Sequence, residues 1–131
     1  MPGDPNPNGY QSVIPYLTVP GVPRLITFLA EAFGATERMR SERPDGTVMH
    51  AEVQLGDSVV MMGEPADEAG SRPSSLYLSV DDVDATYARA LEAGATSLRE
   101  PADQEYGDRS AGVCDPSGNY WWLAAPVRAT V

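Results

Sequence analysis

The chain has 131 residues, 42% hydrophobic and 21% charged, the balance of an ordinary globular protein. Nineteen acidic residues outnumber nine basic ones, all arginine, and the formal net charge is −10. That argues against nucleic acid and anionic membrane surfaces, which need a basic face, and an acidic field favours cationic ligands. The length fits one domain with a sizeable core. No apolar run approaches the roughly 18 residues of a membrane span.

The opening MPGDPNPNGYQ lacks the basic start and apolar stretch of a signal peptide. Residues 1–11 are expected to be a flexible arm, because their Pro, Gly and Asn content forms no packed element. Cytoplasmic residence is the expected location. The single Cys114 excludes an intramolecular disulfide and reads as a small buried hydrophobe.

Val13 to Val19 alternates as a half-buried strand does, with Val13, Leu17 and Val19 opposite Ile14, Tyr16 and Thr18. Pro23 sits where a first-turn proline is tolerated. Leu25, Phe28, Leu29, Ala32 and Phe33 follow at helical spacing, and Gly34 closes the helix. A strand is expected over Thr36–Arg43, a turn at Pro44-Asp45-Gly46, a strand over Thr47–Leu55, a turn at Gly56-Asp57 and a strand over Ser58–Gly63. Within Thr47–Leu55, Met49, Ala51, Val53 and Leu55 share one face, and Val48, His50, Glu52 and Gln54 the other.

Glu64 to Ser74 is polar and reads as a linker. The same order then begins again. Leu78-Ser79-Val80 echoes Leu17-Thr18-Val19 at an offset of 61, and Gly94-Ala95-Thr96 echoes Gly34-Ala35-Thr36 at 60. A strand is expected over Ser75–Val80, with Leu76, Leu78 and Val80 opposite Ser75, Tyr77 and Ser79. Asp81 or Asp82 caps a helix running to about Ala93, with Val83, Tyr87, Ala90 and Leu91 on its inner face. Thr96–Glu100 is a strand, followed by an acidic loop. Arg109–Cys114 and Asn119–Ala125 form a closing hairpin about Asp115-Pro116-Ser117-Gly118.

The fold class is therefore α+β, with two tandem βαβββ modules. Module one spans residues 12–63, the linker 64–74 and module two 75–126, with 127–131 as a tail. Each strand has an aliphatic face suited to packing under a helix and a polar-aromatic one. If the two curved mixed sheets turn their polar-aromatic faces toward each other, those faces line a cleft. Alternation then sends Trp121 and Leu123 to the core, and Tyr120, Trp122 and Ala124 to the cleft.

PYLTV, AFGATERMR, PDGTVMHAEVQLGD, DDVDATYARALEAGAT and YGDRSAGVCDPSGNYWWLA resemble the vicinal oxygen chelate superfamily of glyoxalase I, bleomycin-resistance and ring-cleaving dioxygenase proteins. The likeness is to its PhnB-like branch and covers residues 12–126. The resemblance fixes a fold and not an activity. It implies a homodimer in which each cleft is bordered by both chains. Metal-dependent members place a His or Glu near the start of each module's first strand and on its last strand. Here those positions hold Ile14, Met61 or Met62, Ser75 and Trp122, none of them a hard-metal ligand.

The groups left for chemistry are His50, Glu52, Tyr106, Asp108 and Arg109. His50 and Glu52 share a strand face. They read as ordinary polar residues, as ligand contacts, or as a catalytic or metal pair. Of Asp108 and Arg109, adjacent on a strand and so unable to pair on one face, one anchors a loop. Trp122 either fills the cleft or offers it a stacking surface.

The expected function is non-catalytic binding of an aromatic or cationic small molecule, the resemblance implying antibiotic or natural-product resistance by sequestration. Expected ligand contacts are Trp122, Tyr120, Tyr16, Tyr77, His50, Glu52, Met62, Tyr106 and Arg109, with no metal and no cofactor. The alternative is a metal-dependent lyase, isomerase or dioxygenase with a relocated site at His50 and Glu52.

Overall fold

The computed structural model describes residues 9–127. Module one contains β1 (Tyr16–Thr18), α1 (Val22–Phe33), β2 (Thr36–Glu42), β3 (Val48–Leu55) and β4 (Ser58–Gly63). Module two contains β5 (Ser75–Ser79), α2 (Val83–Glu92), β6 (Thr96–Asp103), β7 (Asp108–Cys114) and β8 (Tyr120–Pro126). The first sheet has the order β1-β4-β3-β2, and the second β5-β8-β7-β6. In each, the module's first strand lies parallel to its last, and the other pairings are antiparallel. The two βαβββ modules read from the repeat are thus both present.

The helices begin and end for the reasons their sequences give. Pro23 occupies the first turn of α1, and Gly34 closes that helix at φ 75°, its N–H returning to the Ala30 carbonyl. Asp82, and not Asp81, caps α2 by accepting the Ala85 N–H at 3.0 Å. The buried residues of α2 are Val83, Thr86 and Ala90, whereas Leu91 is exposed.

Both sheets bend where an extra residue enters the ladder after the GAT repeat, between Glu37 and Met39 in β2 and between Ser97 and Arg99 in β6. The repeat therefore extends to the position of the bulge in each sheet. Strand β6 continues to Asp103, so the stretch expected as an acidic loop is the second half of a strand. Strand β1 is shorter than expected, and Val13 is 82% exposed outside it. Residues 1–8 of the expected arm and 128–131 of the expected tail lie outside the described residues.

The core lies between the helices and the inner faces of both sheets. Leu17, Val19, Leu25, Phe28, Leu29, Val53, Met62, Val113, Trp121 and Leu123 are essentially inaccessible. The modules meet through this layer. Phe33 touches Trp121 at 5.2 Å between ring centroids, and Arg89 donates to the Ala32 carbonyl. The outer faces of both sheets stay open, with Tyr16, Tyr77 and Tyr120 between 43% and 60% exposed.

Candidate ligand-binding site

On the open face of the first sheet, a hydrogen-bonded chain runs outward from a buried carboxylate. Glu52 on β3 is 5% exposed. Its Oε1 accepts the Tyr10 hydroxyl at 2.6 Å, and its Oε2 lies 2.9 Å from His50 Nε2. His50 Nδ1 in turn lies 3.1 Å from the Tyr16 hydroxyl. Tyr16 reaches His50 from β1, across β4, and it crosses at Gly63. A Cβ added there would stand 2.9 Å from the phenol oxygen and 2.6 Å from the Met49 carbonyl oxygen. Burial alone would raise the Glu52 pKa. The hydrogen bonds from Tyr10 and His50 outweigh it and hold the carboxyl below its ordinary range. The same contact pushes the Tyr10 phenol upward. Arg38 covers the Tyr10 ring at 4.8 Å.

The open face of the second sheet is built differently. Trp122 on β8 packs against β7 at Gly112, where an added Cβ would run into Cζ3 and Cε3 of the indole. The indole N–H donates to Ser75 Oγ at 2.9 Å. Tyr120 meets the ring edge-on, and the Arg99 guanidinium lies 5.3 Å from its centroid. Arg99 is itself held by Ser110 Oγ. Tyr77 reaches across β8 and donates to Asp108 Oδ2 at 3.2 Å. Burial first, and that hydrogen bond second, push its pKa upward.

The structure thus groups Tyr16, His50 and Glu52 on one face, and Tyr77, Tyr120 and Trp122 on the other. Two expected contacts do not belong with them. Met62 is fully buried in the core, and Met61, its neighbour, is the residue on the open face beside Tyr16. Arg109 points to the helix face. Both oxygens of Asp84 on α2 hold its guanidinium, at 2.7 and 2.9 Å, and Asp103 binds it at 3.0 Å. These carboxylates raise its pKa, while Arg109 lowers that of Asp84. Tyr106 stands in the turn before β7, 66% exposed.

A bulge in β3 also changes the expected alternation. Between Ser41 and Glu42 of β2, β3 spends one extra residue, Met49. Val48 consequently enters the core, and Met49 is 51% exposed. Tyr10 falls within the stretch expected as a flexible arm, yet it holds Glu52, and the neighbouring Gln11 bonds both backbone groups of Val59.

The family model of the glyoxalase/bleomycin resistance protein/dioxygenase superfamily matches residues 12–123. The chain belongs to this superfamily. It is 37% identical over 125 residues to the uncharacterized protein Mb0911c of Mycobacterium bovis, covering 87% of this chain and 82% of the relative. Among solved structures it is similar to TioX from Micromonospora sp. ML1, with a TM-score of 0.70 and 26% identity over 88% of this chain and 96% of that one. It is also similar to the Arabidopsis thaliana gene product AT5G48480, with a TM-score of 0.65 and 27% identity over 86% and 94%.

In this superfamily member, Ser75 and Trp122, at two of the positions where the resemblance implies a metal ligand, are hydrogen-bonded to each other. Met61 and Ile14 offer no nitrogen or oxygen side-chain donor either. Around His50 and Glu52 the additional groups are two phenols, and among the described residues no three His, Cys, Asp or Glu side chains converge. The residues present do not fit a divalent ion. A cavity of about 780 Å³ lies elsewhere, between the modules, walled by Phe33, Leu55, Leu76, Leu78, Val80 and Trp121. It runs along the aliphatic side of edge strand β5. Among the described residues, no helix is long and apolar enough to cross a membrane.

Proposed function

We propose that the protein binds a flat aromatic small molecule in a cleft built by two copies of the chain. The open face of one protomer's first sheet is set against the open face of its partner's second sheet. The observation that carries this reading is Trp122, an indole packed against the Gly112 backbone and tied down by Ser75. A ring fixed in that way stacks a planar ligand at little ordering cost. Pairing is supported by the aromatic residues left open on both faces, which a monomer exposes to water.

Retention by stacking requires no chemistry, so the biological role proposed is sequestration, protection from a drug or natural product of the kind that the superfamily's bleomycin resistance members are named for. Titration with a panel of intercalating antibiotics, followed by tryptophan fluorescence, tests this. Quenching should come from Trp122, since Trp121 is 1% exposed. If no compound quenches, and W122A protects cells as well as the parent protein, the reading fails. A monomer mass in sedimentation would remove the two-chain cleft.

A further inference from the structure

We infer that the open face of the first sheet carries a subsite for a hydrogen-bond donor on the ligand, a hydroxyl, amine or ammonium group, received by the Tyr16 phenol oxygen. This rests on the reading that a flat ligand occupies the open faces.

The polarity follows from the buried end of the chain. Glu52 is held ionised, and an ionised carboxylate can only accept hydrogen bonds. Its Oε1 takes the Tyr10 proton, and its Oε2 requires a proton on His50 Nε2. In a neutral imidazole the other nitrogen is then an acceptor. Nδ1 therefore receives the Tyr16 O–H at 3.1 Å. Tyr16 spends its only proton inward, and its outward side offers a lone pair. Tyr16 as a residue is 46% exposed, on the open side of the sheet from which a ligand approaches. The buried negative charge at the base of the chain favours a positively polarised partner at its tip.

The alternative polarity, Tyr16 donating to the ligand, needs a proton on Nδ1; in a neutral ring that leaves Nε2 as a second acceptor facing a carboxylate at 2.9 Å, and only the doubly protonated ring, with a donor at each nitrogen, would supply it. Gly63 leaves room for the phenol, because a Cβ there would crowd its oxygen at 2.9 Å. Glu52 and Tyr10 are positioning residues in this arrangement. Only Tyr16 meets the ligand.

His50 is the single histidine of the chain, so its ring nitrogens can be read without assignment. The 15N spectrum of the protein is expected to show the Nε2–H form. In Y16F the Nδ1 resonance should move, and in E52Q the two tautomers should mix. A spectrum showing Nδ1–H in the parent protein overturns the proposal. Binding supplies the second test, with 2-hydroxyanthraquinone and 2-methoxyanthraquinone as matched flat probes followed by tryptophan quenching. The hydroxyl compound is expected to bind about tenfold more tightly, the worth of one well-made hydrogen bond. In Y16F that ratio should fall to about one, with the methoxy compound unaffected. Equal affinities in the parent protein, or a preference for the methoxy compound, overturn the subsite and leave the binding reading standing. If neither compound quenches, both fall together.

Discussion

The two sheets share one frame and carry opposite chemistry. In the first, Glu52 on β3 lies across from Met61 on β4. In the second, Gly112 on β7 lies across from Trp122 on β8. The repeat offsets of 60 and 61 superimpose these pairs. Where module one has a carboxylate beside a flexible thioether, module two has no side chain beside an indole. The volume taken from one strand is given to its neighbour. Tyr16 and Tyr77 correspond as well. Each crosses its module's last strand to a titratable group on the strand beyond, His50 in one case and Asp108 in the other. A single backbone plan thus yields a hydrogen-bonding face and a stacking face, and the difference lies in one cross-strand pair per sheet.

The largest expected difference between the modules concerns how their last hairpins close. Asp115 is 4% exposed and accepts from the Ser117 and Asn119 N–H groups, the Asn119 side-chain amide and the Trp121 indole at 2.8 Å. The corresponding turn of module one uses Asp57, which accepts the Ser58 hydroxyl and lies at the surface. D115A should cost about 3 kcal/mol, because it strands buried donors, the indole among them. D57A should stay within about 0.5 kcal/mol. Denaturant titrations of the two variants measure the difference, and equal losses would show that the two hairpins close alike.

Next in size is the glycine beneath the indole. G112A should destabilise the fold by about 2 kcal/mol, the usual cost of overpacking, and should tilt Trp122 off the sheet. Quenching by planar ligands should weaken with it. The double variant G112A/W122M removes the ring that the new methyl group meets, and so should recover most of the stability but none of the stacking. Independent, additive losses in the two variants would mean that Gly112 and Trp122 are not one unit.

Much of this was legible in the chain. The repeat gave both modules, and period-two alternation separated Trp121 from Trp122 correctly. The same offset of 61 pairs Met61 with Trp122, so the repeat itself places Met61, and not Met62, on the open face. Strand parity set Asp108 and Arg109 on opposite faces but did not say which faced the helix. That depends on the register with β8 and on Asp84, 25 residues away. The bulge at Met49 has no local signature, because it reflects how β2 and β3 pair. Nor does anything in MPGDPNPNGYQ indicate that Tyr10 returns to a carboxylate 42 positions later. Contacts of that range are decided by the folded geometry and not by local composition.

The hydrogen-bonding face should respond to acid where the stacking face does not. The folded-state pKa of Glu52 lies below its unfolded value. Its stabilising contribution is therefore complete above the ordinary carboxylate range and is lost as the pH falls through that range, below about 4. E52Q should lower stability by about 2 kcal/mol at pH 7, as for hydrogen bonds to a charged group, and should flatten the acid limb of the stability curve. Tyr10 acts in the opposite sense. Its raised pKa means that its contribution holds below the ordinary phenol value and fades as the pH rises through the folded one. An acid limb unchanged by E52Q would separate the carboxylate from the stability of this face.

The smallest expected effect tests which face Arg109 belongs to. Its guanidinium is bound by Asp84 and Asp103 on the helix side, among exposed side chains where ion pairs contribute little. R109Q should therefore leave the affinity for planar ligands unchanged, whereas R99Q, on the indole side, should alter it. The two arginines are ten positions apart on adjacent strands, and only side-chain direction distinguishes them. A loss of affinity in R109Q matching that in R99Q would place the ligand against the helix face, beside the cavity between the modules, and would take the stacking role away from Trp122.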